Sequence, residues 1–362
     1  MTAVHDPYPP QYTPETAAVL GLPLHVVEQQ SDTDGQGAAD LVPFTPGASF
    51  FHNVPDAPPA VWGAGTEVLW AEGEALLLAA PQGVGKTTLA HQIIRARLGL
   101  QDGVLGFPVA SGKKVLLLAM DRPAQTRRAG ARIFRHDNPA YLNERLTVWQ
   151  GPPPYDLAKR TDILAAMCDR AGADTVVIDS LKDAAIGLSD DAVGAGYNRA
   201  RQKALSEGVQ VLELHHLVKR GANGAEPNTL ADIYGSVWIT SGAGSVLLLW
   251  GEAGDPVVSL RHLKQPMDEV GPLHLSHDHP AGVTTILHAT DLLELVRGSG
   301  PEGLTALRAA EVVFEVKVPT KAQKEKARRR LEKLTTSGHL HRMEPVYKGG
   351  SSTYYLSSPE PP

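Results

Sequence analysis

The segment Leu76–Ala90, reading Leu-Leu-Leu-Ala-Ala-Pro-Gln-Gly-Val-Gly-Lys-Thr-Thr-Leu-Ala, constrains this chain more than any other. An apolar run with the character of a buried strand breaks at Pro81, enters the glycine turn Gly83-Val84-Gly85 and continues as a helical pattern from Leu89. Glycines let successive backbone N–H groups curl around phosphate oxygens, and the helix behind them adds its positive N-terminal end. Gln82, Gly83, Val84, Gly85, Lys86, Thr87 and Thr88 form the expected phosphate cradle, with Lys86 reaching the β- and γ-phosphates and the Thr87 hydroxyl holding Mg²⁺. Ala80 stands where the pattern G-x-x-x-x-G-K-[ST] has its first glycine, and one methyl is tolerated there if the backbone keeps a negative φ. The segment implies a bound nucleoside triphosphate.

The 362 residues suit one domain of about 200–250 residues with a smaller companion. A net charge of −6 gives no general attraction to nucleic acid, so any such site must be local. Cys168 is the one cysteine, which excludes an internal disulfide framework and a cysteine-rich zinc site. No basic-then-apolar leader opens the chain, and no apolar run approaches the ~18–20 residues of a membrane span. A cytoplasmic protein without membrane contact is expected.

Residues 1–45 are rich in Pro, Gly, Asp and Gln and read as a flexible segment, with a helix around Pro14–Leu20 left open. Residues 46–285 alternate strands with helices. The apolar strand runs are Ala75–Ala80, Val115–Ala119, Thr175–Ile178, Val209–Leu214, Ser245–Trp250 and Val257–Leu263, the last two spaced as an antiparallel pair. Thr88–Leu98, Ala124–Arg135, Ala158–Ala171 and Tyr197–Glu207 read as crossover helices. Near-continuous apolar strands joined by helices indicate an α/β core with a mainly parallel sheet. Residues 290–358 read as three helices and a β-hairpin, the pattern of a small winged helix-turn-helix; Ala327, Leu331 and Leu334 give its third helix one apolar stripe.

Asp179 ends an apolar strand, Thr175-Val-Val-Ile-Asp, where a Mg²⁺ shell needs a carboxylate. Asp121 ends another and is the candidate to orient or deprotonate an attacking water, with a helix N-cap before Pro123 as the competing role. His215 and His216 follow the Val209–Leu214 strand, and either is placed to sense the γ-phosphate; adjacent residues on a strand face opposite ways, which argues against a shared zinc ion. The connections Lys182–Asn198 and Lys219–Gly235 are long enough to be functional loops. Arg261 and Lys264 put two cations on a late strand, where they either complete a neighbouring subunit's nucleotide site or line a solvated face.

With these residues assembled, the segment of about residues 55–270 resembles the RecA-like P-loop ATPases, in the branch of the RepA-like and DnaB-like replicative helicases (AAA family ATPases). The resemblance rests on the Ala80–Thr87 loop, the acid after the second strand, Val-Ile-Asp179-Ser-Leu-Lys, the His215-His216-x-x-Lys219 segment and Tyr234-Gly-Ser236. It implies ATP and Mg²⁺ as cofactors, a homo-oligomeric ring or filament with ATP sites between subunits, and single-stranded DNA passing loops that include Lys219 and Arg220. Two departures stand out. Asp121 replaces the family's usual Glu, and Lys264 lacks the Arg that follows two residues later, which leaves Arg261 as its only substitute.

Between Lys317 and Arg342, nine Lys/Arg face two acids, the footprint of a phosphate-backbone contact. Lys321, Lys324 and Arg328 share one flank of the third helix, and Tyr347, Lys348, Tyr354 and Tyr355 are expected on the wing. Taken together, the sequence implies a DNA-dependent ATPase, a replicative helicase or helicase-like motor. An ATP-switched DNA-binding regulator and a recombinase-like or loader ATPase without unwinding remain alternatives.

Overall fold

Strand runs of Leu, Val and Ile, buried on both faces, form the centre of the protein. The computed structural model describes residues 45–52, 54–218, 227–289, 292–314, 316–345 and 351–357, so the segment 1–44, with its possible helix, lies outside the described residues. The strands are β1 (Ala60–Ala64), β2 (Glu67–Ala71), β3 (Leu76–Ala79), β4 (Gly103–Val104), β5 (Phe107–Pro108), β6 (Val115–Ala119), β7 (Leu146–Gln150) and β8 (Thr175–Asp179). They continue as β9 (Gln210–His215), β10 (Ser245–Trp250), β11 (Val257–Lys264), β12 (Leu273–Asp278), β13 (Val283–Ala289), β14 (Leu304–Thr305), β15 (Leu340–Met343) and β16 (Thr353–Leu356).

Nine strands make one sheet in the order β13-β12-β11-β10-β3-β9-β8-β6-β7. From β10 to β7 every pairing is parallel, and β10 pairs with β11 antiparallel, as their close spacing predicts. Every residue of β3 and β6 is buried, which is why their sequences lack the alternation of a half-exposed strand. The crossovers are the helices Lys86–Arg97, Pro123–Phe134, Ile163–Ala171 and Asp191–Ser206. One consequence positions the site: β3 and β8 flank β9, with β6 beyond β8, so the carboxyl ends of β3, β9, β8 and β6 stand in a row. Ligands of open α/β sheets bind along such an edge.

The long connection expected over 182–198 is shorter and mostly helical. Leu181–Ala184 is one turn of helix, and Asp190 caps the next helix by accepting from the Ala192 and Val193 amides. The β1–β2 hairpin, β7, β12 and β13 are additional to the strands read from the sequence. The hairpin buries Trp62 and Trp70 completely, each with its indole N–H bonded to a carbonyl, that of Val104 or Glu74.

The chain divides into two units, one through Gly271 together with Leu275–Ile286, the other Pro272–His274 together with the residues from Leu287 onward. The second unit holds the helices Leu292–Gly298, Ala306–Val313 and Lys321–Thr336 and a three-stranded antiparallel sheet ordered β14-β16-β15. Its core includes Val296, Ala310, Val313, Ala327, Leu331 and Tyr354. Leu304-Thr305 pairs with β16 rather than opening the second helix, because Thr305 serves as N-cap and accepts from the Arg308 amide. Tyr354, expected on the surface, is buried, and its hydroxyl donates to Glu332 at 2.7 Å. Tyr355 stacks on His341, whereas Tyr347 lies outside the described residues.

Candidate functional site

The glycine turn between β3 and the helix Lys86–Arg97 is built as the sequence implies. Gly83 (φ 83°) and Gly85 (φ 99°) occupy the left-handed region that favours glycine. Leu105 is the one non-glycine residue at positive φ among the described residues, so Ala80 keeps the negative φ that admits its methyl. Packing makes a second demand on both glycines. A Cβ on Gly85 would stand 2.4 Å from the His277 ring, and one on Gly83 would stand 2.8 Å from the Ala253 methyl. The turn is therefore gripped by β12 on one side and by the β10–β11 turn on the other. His277 contacts the Val84 carbonyl through Nε2 at 3.1 Å and the Thr284 hydroxyl through Nδ1 at 2.7 Å. Gly85 is the helix N-cap and has no side chain of its own to bond the first-turn amides. Those amides are the donors that an anion takes at a helix N-terminus.

Lys86 is nearly enclosed and donates from Nζ to the carbonyls of Ala80 (2.8 Å) and Pro81 (2.9 Å). Burial draws its ammonium down to about 8, opposed by Asp179 and assisted by Arg122 and Lys182. Thr87 Oγ1 donates to Asp179 Oδ2 at 3.1 Å. Burial pushes the Asp179 carboxyl up, while Thr87 and Lys86 counteract. A hydroxyl and a desolvated carboxylate, both hard oxygen donors, suit Mg²⁺ completed by phosphate and water oxygens.

Asp121 lies just beyond β6, whose Ala119 is in register with Asp179 on β8. The helix that follows has Arg122, not Asp121, at its N-cap, so the capping role for Asp121 falls away. Instead the carboxylate faces two cations, Arg122 Nε at 3.4 Å and Lys182 Nζ at 3.7 Å. With its amide oxygen turned to Arg122, Gln82 accepts from that guanidinium at 3.0 Å, which ties the end of β6 to the phosphate loop.

The two histidines differ in burial. His215 ends β9 inside the core, with Nε2 bonded to the Tyr234 carbonyl at 2.6 Å and Nδ1 enclosed without a hydrogen-bond partner. His216, one residue on, is half-buried with Nε2 enclosed and without a hydrogen-bond partner. Burial lowers His216 to about 4, with Lys86, Lys182 and Arg122 adding to the fall and Asp121 opposing it. It is thus the neutral imidazole among the charged groups at the strand ends.

Lys264 is placed differently from expectation. Its ammonium donates to the carbonyls of Thr240, Ser241 (2.8 Å) and Ala243 (2.5 Å) at the end of the helix Val237–Ser241. All three of its N–H groups are thereby bonded to carbonyls of its own chain. Arg261 lies on β11 opposite Leu248. Of the expected DNA contacts, Lys321, Lys324 and Arg328 are exposed on the third helix of the second unit, but the Arg328 guanidinium is engaged by Glu325 (2.7 Å) and Glu332 (3.6 Å). Lys219, Arg220 and Lys348 lie outside the described residues.

Sequence reasoning missed Arg122, Lys182 and His277. The first two carry a local signal, because each lies within three residues of an acid that ends a strand. His277 carries none, since 193 positions separate it from Val84.

An α/β sheet with a glycine-rich turn after β3 and an acid ending β8 is consistent with a P-loop NTPase core. Residues 48–222 match a family model described as an AAA domain, which supports a P-loop ATPase in general. No curated protein matches the chain.

Proposed function

We propose that this protein hydrolyses ATP with Mg²⁺ and couples the hydrolysis to work on DNA, as a helicase-like motor. The observation that carries the hydrolytic part is the row of strand ends that brings Lys86, Thr87, Asp179, Asp121 and His216 together. The loop amides and Lys86 bind the β- and γ-phosphates, and Thr87 with Asp179 would hold Mg²⁺. When bound, that ion neutralises phosphate charge and orients the γ-phosphoryl group. Asp121 orients a water and takes its proton as the water oxygen bonds to the γ-phosphorus. The bond from phosphorus to the β,γ-bridging oxygen breaks, and ADP leaves with that electron pair. His216, neutral at pH 7, offers an imidazole N–H to the γ-phosphate and reports its loss.

The DNA part rests on the second unit, where the exposed Lys321, Lys324 and Lys326 lie along one helix beside a β-hairpin. We read this unit as a winged helix that meets the phosphate backbone. Its separate core favours one alternative, a regulator in which ATP switches assembly and this unit selects a duplex site.

ATP turnover measured with and without single-stranded DNA, together with strand displacement on a forked duplex, tests the reading. Stimulation with unwinding supports the motor. Stimulation without unwinding indicates a recombinase-like or loader ATPase, and no stimulation with tight binding of one duplex indicates the regulator.

A further inference from the structure

We propose that Arg122 and Lys182 supply, from within the same chain, the positive charge that stabilises the γ-phosphate during hydrolysis, so that the site needs no cation from a second copy. This inference rests on the glycine turn being the hydrolytic site, and it assigns the site's missing electrophilic groups.

Four observations lead to it. First, of the two candidates for a cation donated between subunits, Lys264 has its three N–H groups bonded to carbonyls of its own subunit, and Arg261 on β11 is already engaged by an interaction of its own. Second, Arg122 is anchored to the phosphate loop itself through Gln82. A guanidinium held there by a loop residue lies beside the phosphates that the loop binds. Third, Lys182 lies in the turn of helix Leu181–Ala184 that follows the Asp179–Ser180 step, and it too reaches Asp121. Both cations act on Lys86 and on His216, which places them in one electrostatic cluster with the groups that meet the γ-phosphate.

Fourth, the ion pairs that hold the two cations to Asp121 are weak. Arg122 and Lys182 are about half exposed, at 48% and 44%, and meet the Asp121 carboxylate at 3.4 and 3.7 Å. Exposed pairs of that kind are worth about 0–1 kcal/mol. A triphosphate bearing several negative charges outcompetes a single carboxylate for them. Charge balance agrees, because three cations (Lys86, Arg122, Lys182) against two acids (Asp121, Asp179) leave an excess of one positive charge. The transfer has a consequence for Asp121. As the cations turn to the phosphate, its carboxylate is released from both partners and becomes the acceptor for the water proton. Nucleotide binding thereby switches on the base.

The test uses the full-length protein with Arg122→Gln, Lys182→Gln, Arg122→Lys and the wild type. ADP affinity, ATP affinity and kcat are measured, and kcat is followed on dilution until sedimentation shows single chains. ADP lacks the γ-phosphate, so its affinity stays within about threefold in every variant, while each Gln substitution lowers kcat about 10²–10³-fold, the usual cost of losing one preorganised donor. Arg122→Lys retains more turnover than Arg122→Gln, which a purely packing role would not produce. Turnover per chain stays constant on dilution. The proposal is overturned if both Gln variants keep kcat within about threefold of wild type. It is equally overturned if turnover per chain collapses on dilution while ATP stays bound, since a neighbour's group is then required. Failure of the underlying reading looks different: Lys86→Ala would then keep both ATP binding and turnover.

Discussion

Thr87 Oγ1 and Asp179 Oδ2 stand 3.1 Å apart, a hydroxyl from the first turn of one helix bonded to a carboxylate that ends a strand 92 residues later. Burial pushes the carboxyl up, and the bond from Thr87 and the charge of Lys86 offset this only in part. Asp179→Asn keeps the acceptor for Thr87 and removes the buried charge. Its thermal midpoint therefore stays equal to or above that of wild type, while Mg²⁺-dependent ATP turnover falls at least about 10²-fold. Parallel melting and turnover assays check this, and chelating Mg²⁺ from the wild type produces the same loss of turnover.

Gly85→Ala forces a Cβ to within 2.4 Å of the His277 ring at a residue with φ 99°. Strain of about 1–3 kcal/mol is expected at such a position, before any packing cost. Denaturant unfolding reports that loss, and nucleotide affinity drops along with it.

Glu213 and Arg201 form a 2.7 Å ion pair with both side chains fully enclosed, joined by the Tyr197 hydroxyl at 2.6 Å. Glu213→Ala leaves a buried guanidinium without its partner, at a cost of about 3–5 kcal/mol. Urea midpoints measure the effect; a loss under 1 kcal/mol would mean that the guanidinium finds water.

Acid sensitivity follows from buried histidines. Burial lowers His91 to about 4 and His215 to about 3, and lowers His277 as well. His216, Lys86 and Arg201 depress His215 further, while its bond to the Tyr234 carbonyl opposes the fall. The unfolded chain then binds protons that the folded chain refuses, so stability is complete above about pH 6.5 and declines as pH falls toward 4. Each such histidine adds up to about 1.4 kcal/mol per pH unit to the slope. His91→Leu, beside Phe134, removes one contribution, and unfolding midpoints between pH 7 and 4.5 show a shallower decline.

Lys321→Ala with Lys324→Ala tests the DNA contact. Each lost phosphate contact lowers the slope of log K against log salt by about 1 while weakening binding to all sequences alike. An unchanged slope would remove this helix from the interface.

Much of this architecture was legible because it is local. The glycine turn, the acid at the end of β8 and the third helix of the second unit each rest on contiguous residues whose spacing sets their geometry. Elements that depend on distant partners were not legible. β7 is half exposed and has no strong apolar run, so its parallel pairing with β6 decides it. His277 matters only because β12 brings it against Gly85. Which of His215 and His216 is the more enclosed depends on where β9 ends in the sheet, and Lys264 looked available because nothing nearby in sequence foretells the three carbonyls it caps.

The most direct measurement of the central claim is ATP turnover by wild type and Lys86→Ala, each with and without single-stranded DNA. Wild type hydrolyses ATP and accelerates with DNA, and Lys86→Ala shows no turnover in either condition. Turnover that survives in Lys86→Ala would place the chemistry elsewhere and contradict the assignment of the site.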